Sequence, residues 1–60
     1  MLIKDELILA AKSKDNKRFY QLVETCRASK IKYNTIYRWV MSILSMAQFE
    51  DTIRKGDPKG

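Results

Sequence analysis

The side chains best suited to specific polar contacts are concentrated in one stretch, Lys30 to Leu44, which reads KIKYNTIYRWVMSIL. The amide of Asn34, the phenol of Tyr37 and the guanidinium of Arg38 lie there among apolar residues that recur at helical spacing. Such groups donate and accept hydrogen bonds on the outer side of a helix. The stretch is therefore either a core helix with a polar back or a helix whose polar side contacts a partner.

Positive charge is concentrated around the same stretch. The 60 residues include 12 Lys and Arg against seven Asp and Glu, a formal net charge of +5. Between Lys12 and Arg38 there are eight basic residues and two acidic ones, a net charge of +6. A localised positive field attracts a phosphate backbone or an anionic membrane surface, while a surface that only keeps the protein in solution is the plainer alternative.

The residues that common catalytic and metal sites require are scarce. With no His and one Cys, a zinc-type site lacks ligands and a Ser or Cys nucleophile lacks its usual base. The neighbours Asp5 and Glu6, like Glu50 and Asp51, would point about 100° apart on a helix. We therefore expect no enzyme, no cofactor and no metal. Cys26 is expected to pack as a small apolar residue in a reducing, cytoplasmic setting.

Length and composition predict one small all-α domain. A chain of this size buries only about 60% of the surface that its unfolded form exposes, which leaves no room for a deep active site. The sequence has only two Gly and one Pro, and this scarcity of turn-forming residues favours a compact helical chain. No apolar run approaches the ~20 residues of a membrane span, and MLIKDELILAAKSK has acidic residues where a signal peptide is basic. We expect no membrane association.

Two helices are predicted in the first half of the chain, the first over roughly residues 3–12. The apolar residues that define them are Ile3, Leu7, Ala10 and Ala11 in the first helix and Phe19, Leu22, Val23 and Cys26 in the second. The segment SKDN between them predicts a helix stop, with Ser13 or Asp15 as the cap of the second helix.

A longer third helix is predicted from near Tyr33 to about Gln48, after the turn SKIK. Its apolar side comprises Ile36, Trp39, Val40, Ile43, Leu44 and Ala47, with Met46 as a further candidate. Trp39 is expected in the core. After Phe49 the segment EDTIRK alternates weakly, as a strand does, and GDPKG predicts a turn or a loose end. We expect a three-helix domain over residues 1–49 and a partial wing or mobile tail over 50–60.

The segment from Leu22 to Val40 resembles the helix-turn-helix pattern of DNA-binding proteins. Cys26 stands where that pattern has a small residue, because the second helix of the pair crosses close to the first. Ile31 stands at the apolar position after the turn, and Ile36 and Trp39 stand five and eight positions later. The run IKYNTIYRWV also looks like many bacterial, phage and archaeal recognition helices.

Two positions depart from this pattern, and the C-terminal segment extends it. Lys30 occupies the turn position that usually holds Gly, where the backbone prefers a positive φ. Lys32 occupies the usual Ser or Thr cap position, so the cap is expected at Asn34, one turn later. FEDTIRKGDPKG resembles the first strand and turn of a winged-helix protein. Since the second strand is missing, the wing is unpaired, is completed by another chain, or belongs to a fragment of a winged-helix domain.

The resemblance implies two sets of DNA contacts. The residues that would reach base edges are Lys32, Tyr33, Asn34, Tyr37, Arg38 and Met41. Those that would lie nearer the phosphates are Lys14, Lys17, Arg18, Arg27 and Lys30. Arg38 suits guanine through two hydrogen bonds and Asn34 suits adenine, whereas phosphate contacts fix the register without reading sequence.

The resemblance therefore implies a small protein that places its third helix in the major groove of double-stranded DNA. Its role would be transcriptional or replication regulation, in the cytoplasm at the nucleoid, and as a homodimer because one recognition helix covers only a half-site. Two alternatives stay open. One is a helical module that docks on a larger protein through the third helix, with Tyr33, Tyr37, Met41 and Phe49 exposed. The other is a helical RNA-binding protein.

Overall fold

The computed structural model describes residues 2–59, which form four α-helices and no strand. The helices are α1, Ile3–Lys12; α2, Asn16–Ala28; α3, Tyr33–Val40; and α4, Met46–Gly56. The all-helical class predicted from the sequence is confirmed. The number of helices is four rather than the predicted three, because the C-terminal half is divided differently.

The first two helices lie where the apolar spacing predicts them. In α1, Asp5 and Glu6 occupy the first turn and Lys12 the last, an arrangement that the helix dipole favours. Asp15 caps α2, because its Oδ1 accepts a hydrogen bond from the Arg18 backbone N–H at 3.1 Å. Of the two caps that the sequence offers, Asp15 is confirmed.

Two residues after the end of each of α1 and α2 stands a lysine with a left-handed backbone, φ being 56° at Lys14 and 68° at Lys30. In α2 the Ile31 N–H donates to the Cys26 carbonyl at 3.0 Å and the Lys30 N–H to the Arg27 carbonyl at 2.9 Å. These two bonds define a Schellman motif, and α1 ends with the same pair. At Lys30, a lysine therefore adopts the backbone conformation for which such turns usually select glycine.

The third helix, α3, begins at Tyr33, directly after this turn. Lys32 is its N-cap residue, with φ −76° and ψ 153°, and makes no side-chain capping bond. The prediction that Asn34 caps a later-starting helix is therefore wrong. The helix starts earlier because the Lys32 carbonyl accepts from the N–H of the buried Ile36 at 3.2 Å, which closes the first turn without a side-chain cap.

A single third helix reaching Gln48 is also wrong, since α3 ends at Val40. The Val40 carbonyl accepts from the N–H groups of both Ile43 and Leu44 at 2.9 Å, which turns the chain. Ser45 then caps a new helix: its Oγ accepts from the Gln48 N–H at 3.2 Å, and Gln48 Oε1 accepts from the Ser45 N–H at 3.0 Å. This capping box sets the start of α4.

Residues 50–56 of the segment predicted as a partial wing or mobile tail belong to α4, so the expected boundary at residues 49/50 falls inside this helix. Gly60, the last residue of that prediction, lies outside the described residues. Phe49 is 2% exposed and packs edge-on against Phe19 of α2. At the other end of α4, a Cβ on Gly56 would collide with the Asn16 carbonyl oxygen, so α4 closely approaches the start of α2. Thr52 and Ile53 lie within the helix, and the strand suggested by their alternation does not form.

The four helices share one core. Its buried members are Leu7, Ala10, Ala11, Phe19, Leu22, Val23, Cys26, Ile36, Val40 and Phe49. Cys26 is 1% exposed, as expected for a small apolar residue, and burial raises the pKa of its thiol. Trp39, expected inside, is only partly buried against the core, and Ala47, assigned to the apolar side, is exposed because the chain turns before it.

Candidate nucleic-acid interface

Helix α3 carries polar residues on the side that faces away from the core. Its inward side is fixed by Ile36 and Val40, both 0% exposed. Asn34, Arg38 and Met41 follow one another at i, i+4 and i+7, and Met41, the C-cap residue of α3, still has a helical backbone. The three therefore share one face, and all three are exposed. We call these three residues the α3 ridge. It presents an amide, a guanidinium and a thioether in one solvent-facing row.

The two predicted tyrosine contacts are separated from the α3 ridge. Tyr37 is partly buried, and its ring centroid lies 5.6 Å from that of Phe49. Tyr33 is 39% exposed, and its ring stands edge-on to the Phe49 ring at 6.4 Å. Both rings therefore lie toward α4. Contrary to the sequence prediction, Tyr37 does not project freely beside Arg38.

Two exposed lysines lead into α3. Lys30 ends the Schellman turn of α2, and Lys32 is the N-cap residue of α3. Among residues 2–59, neither ammonium group has a carboxylate within 4.0 Å. Their charges stand at the N-terminal end of α3, where the helix dipole adds to the positive potential.

Three further predicted phosphate ligands lie around the start of α2. Lys14 and Lys17 are exposed, and no carboxylate of the described chain lies within 4.0 Å of either ammonium group. Arg18 Nη2 donates to Glu6 Oε1 at 3.3 Å, with both side chains partly exposed. Because such surface pairs contribute about 0–1 kcal/mol, Arg18 can exchange this carboxylate for a phosphate at little cost.

Arg27 is the predicted phosphate ligand most engaged within the protein. Its Nη1 donates to the Tyr33 hydroxyl oxygen at 3.0 Å, and its guanidinium carbon lies 4.4 Å from the centroid of the Tyr33 ring. Glu24 Oε1 lies 4.0 Å from the same Nη1. These contacts hold the guanidinium over the first residue of α3.

An open groove between α3 and α4 was not foreseen from the sequence. Its lining residues are Tyr33, Asn34, Met46, Phe49, Glu50 and Ile53. Met46 is 42% exposed, whereas Phe49, expected to be exposed if α3 docks on a protein, is buried. Met46, Phe49 and Ile53 recur at i, i+3 and i+7, and this spacing was the available signal that residues 46–56 form an amphipathic helix.

The acidic groups of α4 are paired in part within the helix. Asp51 Oδ1 accepts from Arg54 Nη2 at 2.9 Å, and Asp51 Oδ2 lies 2.9 Å from Lys55 Nζ. Hydrogen bonds from Lys55 and Arg54 lower the pKa of the Asp51 carboxyl. The local positive excess therefore stays with residues 12–38 and is not extended by α4.

Neither a membrane span nor a metal cluster is found in residues 2–59. None of these helices is long and apolar enough to cross a bilayer. No group of three or more His, Cys, Asp or Glu residues in this range is placed to hold a metal ion together.

No protein-family model, curated protein or solved structure matches the chain. The likeness to the helix-turn-helix pattern therefore rests on the residues themselves. Cys26 and Ile36 are buried in the core, and Ile31 packs against it directly after the turn.

Proposed function

We propose that this protein binds double-stranded DNA as a helix-turn-helix protein, with the α3 ridge in the major groove. The observation that carries the proposal is the ridge itself: Asn34, Arg38 and Met41 are exposed on one face of a helix whose opposite face is fully buried. A packed helix with outward amide and guanidinium groups is a common form in which proteins read base edges.

Each ridge residue has its own role in this proposal. Arg38 donates two parallel hydrogen bonds to O6 and N7 of guanine, and Asn34 pairs its amide with N6 and N7 of adenine. Met41 gives an apolar contact to a thymine methyl group. Lys32, exposed at the N-terminal end of α3, donates to a base acceptor beside them. Each well-placed base contact discriminates by about 1–3 kcal/mol.

The cations outside the ridge supply attraction that is independent of sequence. Lys14, Lys17 and Lys30 are exposed and have no ion pair within residues 2–59, so they are available for phosphates. Arg18 joins them after releasing Glu6. Each phosphate neutralised steepens the slope of log K against log salt by about 0.9, through counterion release.

The proposal assigns Tyr33 and Tyr37 a supporting role rather than base contacts. Both rings contact Phe49, and Tyr37 is partly buried, so a ring that stacked on a base would give up its contact with α4. They hold α3 against α4 while the ridge faces outward.

The proposed physiological role is regulation of transcription or replication. One recognition helix reads only a half-site, and α3 has eight residues, or little more than two turns. A homodimer on two half-sites about one DNA turn apart would therefore bind more tightly and more specifically than a single copy.

The proposal is tested by selection from a library of random duplex DNA, followed by titration of the selected duplex and a scrambled duplex of the same composition. Both titrations are repeated at two salt concentrations. We expect a recovered consensus, tighter binding to the selected duplex, and affinity that falls steeply with salt for both. Sequence-blind binding that appears only at low salt would contradict the proposal.

A second candidate is a protein-interaction module that docks through α3 and α4. The groove between these helices favours it, because Met46 at the groove and Met41 near the end of α3 are 42% and 58% exposed. Exposed methionines adapt to the shape of a partner's apolar side chains. The same DNA titration separates the two candidates, because a protein-interaction module is expected to bind the selected and scrambled duplexes equally.

A further inference from the structure

Arg27 makes two contacts with one side chain across the turn between α2 and α3. Its Nη1 donates to the Tyr33 hydroxyl oxygen at 3.0 Å, and the guanidinium carbon lies 4.4 Å from the ring centroid. Arg27 is in the last turn of α2, whereas Tyr33 is the first residue of α3. The pair therefore links the end of one helix to the start of the next.

Few other local interactions fix the start of α3. Lys32 gives no side-chain cap, and a helix of eight residues is too short to be stable by its own hydrogen bonds. Tyr33 is also the residue directly before Asn34, the first member of the α3 ridge. Ile36 and Val40 hold the inward side of α3, so the contacts of Tyr33 act on the first turn, the part of the helix that carries Asn34.

The Tyr33 ring has a second neighbour on α4. It stands edge-on to Phe49, which also contacts Phe19 of α2 at 5.8 Å. Arg27 therefore adds a cationic contact to an aromatic cluster that joins three helices. A guanidinium suits this place, because its planar face stacks on a ring while its N–H groups still donate hydrogen bonds.

We propose that Arg27 is a positioning residue, which acts through Tyr33 to set the direction of the α3 ridge, and is not a phosphate ligand. This inference rests on the proposed DNA-binding function. It replaces the sequence prediction that Arg27 contacts phosphate. In this arrangement Arg27 governs sequence preference without touching a base.

The two roles give opposite results when affinity and salt dependence are measured together. Loss of a phosphate ligand weakens binding to all sequences alike and lowers the salt slope by about one. Loss of a positioning residue leaves the salt slope unchanged and reduces the preference for the selected duplex. Lys30 is the matched control, because it lies three residues away, is exposed and has no ion pair within residues 2–59.

The experiment measures Kd for the selected and scrambled duplexes at two salt concentrations, for the wild type and for Arg27→Gln, Arg27→Lys and Lys30→Gln. Circular dichroism first establishes that each variant is folded. Arg27→Gln should lower the preference roughly tenfold, the effect of losing one base contact, and keep the wild-type salt slope. Arg27→Lys restores the charge but not the planar stack, so the preference should remain low. Lys30→Gln should lower the slope by about one and keep the preference.

Combining the Arg27 substitution with a substitution of Tyr33 tests whether Arg27 acts through the Tyr33 ring. In Tyr33→Leu, which removes both the ring and the hydroxyl, Arg27→Gln should cause no further loss of preference. Should Arg27→Gln fail to fold, Tyr33→Phe keeps the ring, removes only the hydroxyl, and should lower the preference a few-fold.

Three outcomes would overturn the inference while leaving the proposed function intact: a lower salt slope with full preference in Arg27→Gln, full recovery in Arg27→Lys, or additive losses in the double variant. A wild type without sequence preference would instead overturn the proposed function, and the role of Arg27 with it. The wild-type measurement thus separates the two failures.

Discussion

The ring of Phe49 stands edge-on against the ring of Phe19, with 5.8 Å between centroids and 85° between ring planes. Phe19 belongs to α2 and Phe49 to α4, and both are buried. The C-terminal helix is therefore part of the core rather than an appendage. In a domain of 60 residues, which buries little surface in total, each buried aromatic ring removes about 150–250 Å² from water.

Replacing Phe49 by Ala should lower the free energy of unfolding by about 3–5 kcal/mol, because it removes a buried ring and leaves a cavity between α2 and α4. Urea denaturation followed by circular dichroism measures this loss. Met46→Ala is the control in the same helix. Since Met46 is 42% exposed, its replacement should cost less than about 1 kcal/mol. Equal losses in both variants would show that α4 is not anchored by Phe49.

Lys14→Gly should stabilise the protein by about 0.5 kcal/mol. At φ 56° the lysine side chain carries a steric cost of about 1–2 kcal/mol that glycine avoids, and part of the gain is lost because glycine makes the unfolded chain more flexible. Lys30→Gly, at φ 68°, should behave alike. Urea midpoints of the two variants provide the measurement.

The control for these substitutions is Gln21→Gly, at an exposed position in the interior of α2. There the same change should cost about 1 kcal/mol, because glycine is a poor helix former. A loss of stability at Lys14 and Lys30 as large as that at Gln21 would contradict the left-handed turns.

Ser45→Ala should destabilise the protein by about 1 kcal/mol, because it removes the hydroxyl that accepts from the Gln48 N–H at the start of α4. Thermal unfolding measures the change. Ser42→Ala serves as the control, since Ser42 is exposed in the turn before α4 and its side chain has no hydrogen bond within residues 2–59. An equal effect at both serines would argue against the capping box.

Local signals made the first half of the fold predictable. The bounds of α1, the Asp15 cap and the burial of Cys26 follow from apolar spacing and from short-range hydrogen bonding. The exposure of Asn34, Arg38 and Met41 follows from the same spacing, because Ile36 and Val40 fix the opposite face of α3. These features depend on neighbours within a few residues, and a sequence displays such neighbours directly.

The second half depended on contacts between distant parts of the chain. The apolar spacing from Ile36 to Ala47 continues through the turn that ends α3, and it concealed the Ser45 and Gln48 capping box. Phe49 of α4 packs against Phe19 of α2, which is far away in the sequence, and no local pattern displays such a contact. The sequence did not predict α4, and so it did not predict the contacts of α4 with Tyr33 and Tyr37. These contacts separate the two tyrosines from the α3 ridge, which is the largest change to the candidate site.

Low pH should reduce the stability of the fold, in part because Asp51 becomes protonated. Its pKa is lowered in the folded state by hydrogen bonds from Lys55 and Arg54, so the carboxylate stabilises the fold above its unfolded pKa. That contribution is lost as the pH falls through the lower, folded pKa. We expect Asp51→Asn to have a smaller decline of Tm than the wild type as the pH falls below about 4, the ordinary pKa of an Asp carboxyl.

Glu50→Gln is the control for this measurement, because Glu50 is exposed and has no ion pair within residues 2–59. This variant retains Asp51 and should keep its acid-induced loss of Tm. Identical pH profiles for Asp51→Asn and the wild type would show that the Asp51 ion pairs add nothing to stability.

Arg38→Ala should spare folding and reduce the preference for the selected DNA duplex. The side chain is exposed in the last turn of α3, so its removal opens no cavity and costs only a favourable dipole contact of about 0.3–1 kcal/mol. If Arg38 donates two hydrogen bonds to a guanine, its loss should cost about 1–3 kcal/mol of discrimination at that base pair. Arg54→Ala is the matched control, since it removes the same charge from an exposed site on α4. The sequence preference of each variant is measured as Kd values for duplexes altered one base pair at a time. An unchanged preference in Arg38→Ala would show that Arg38 does not contact bases.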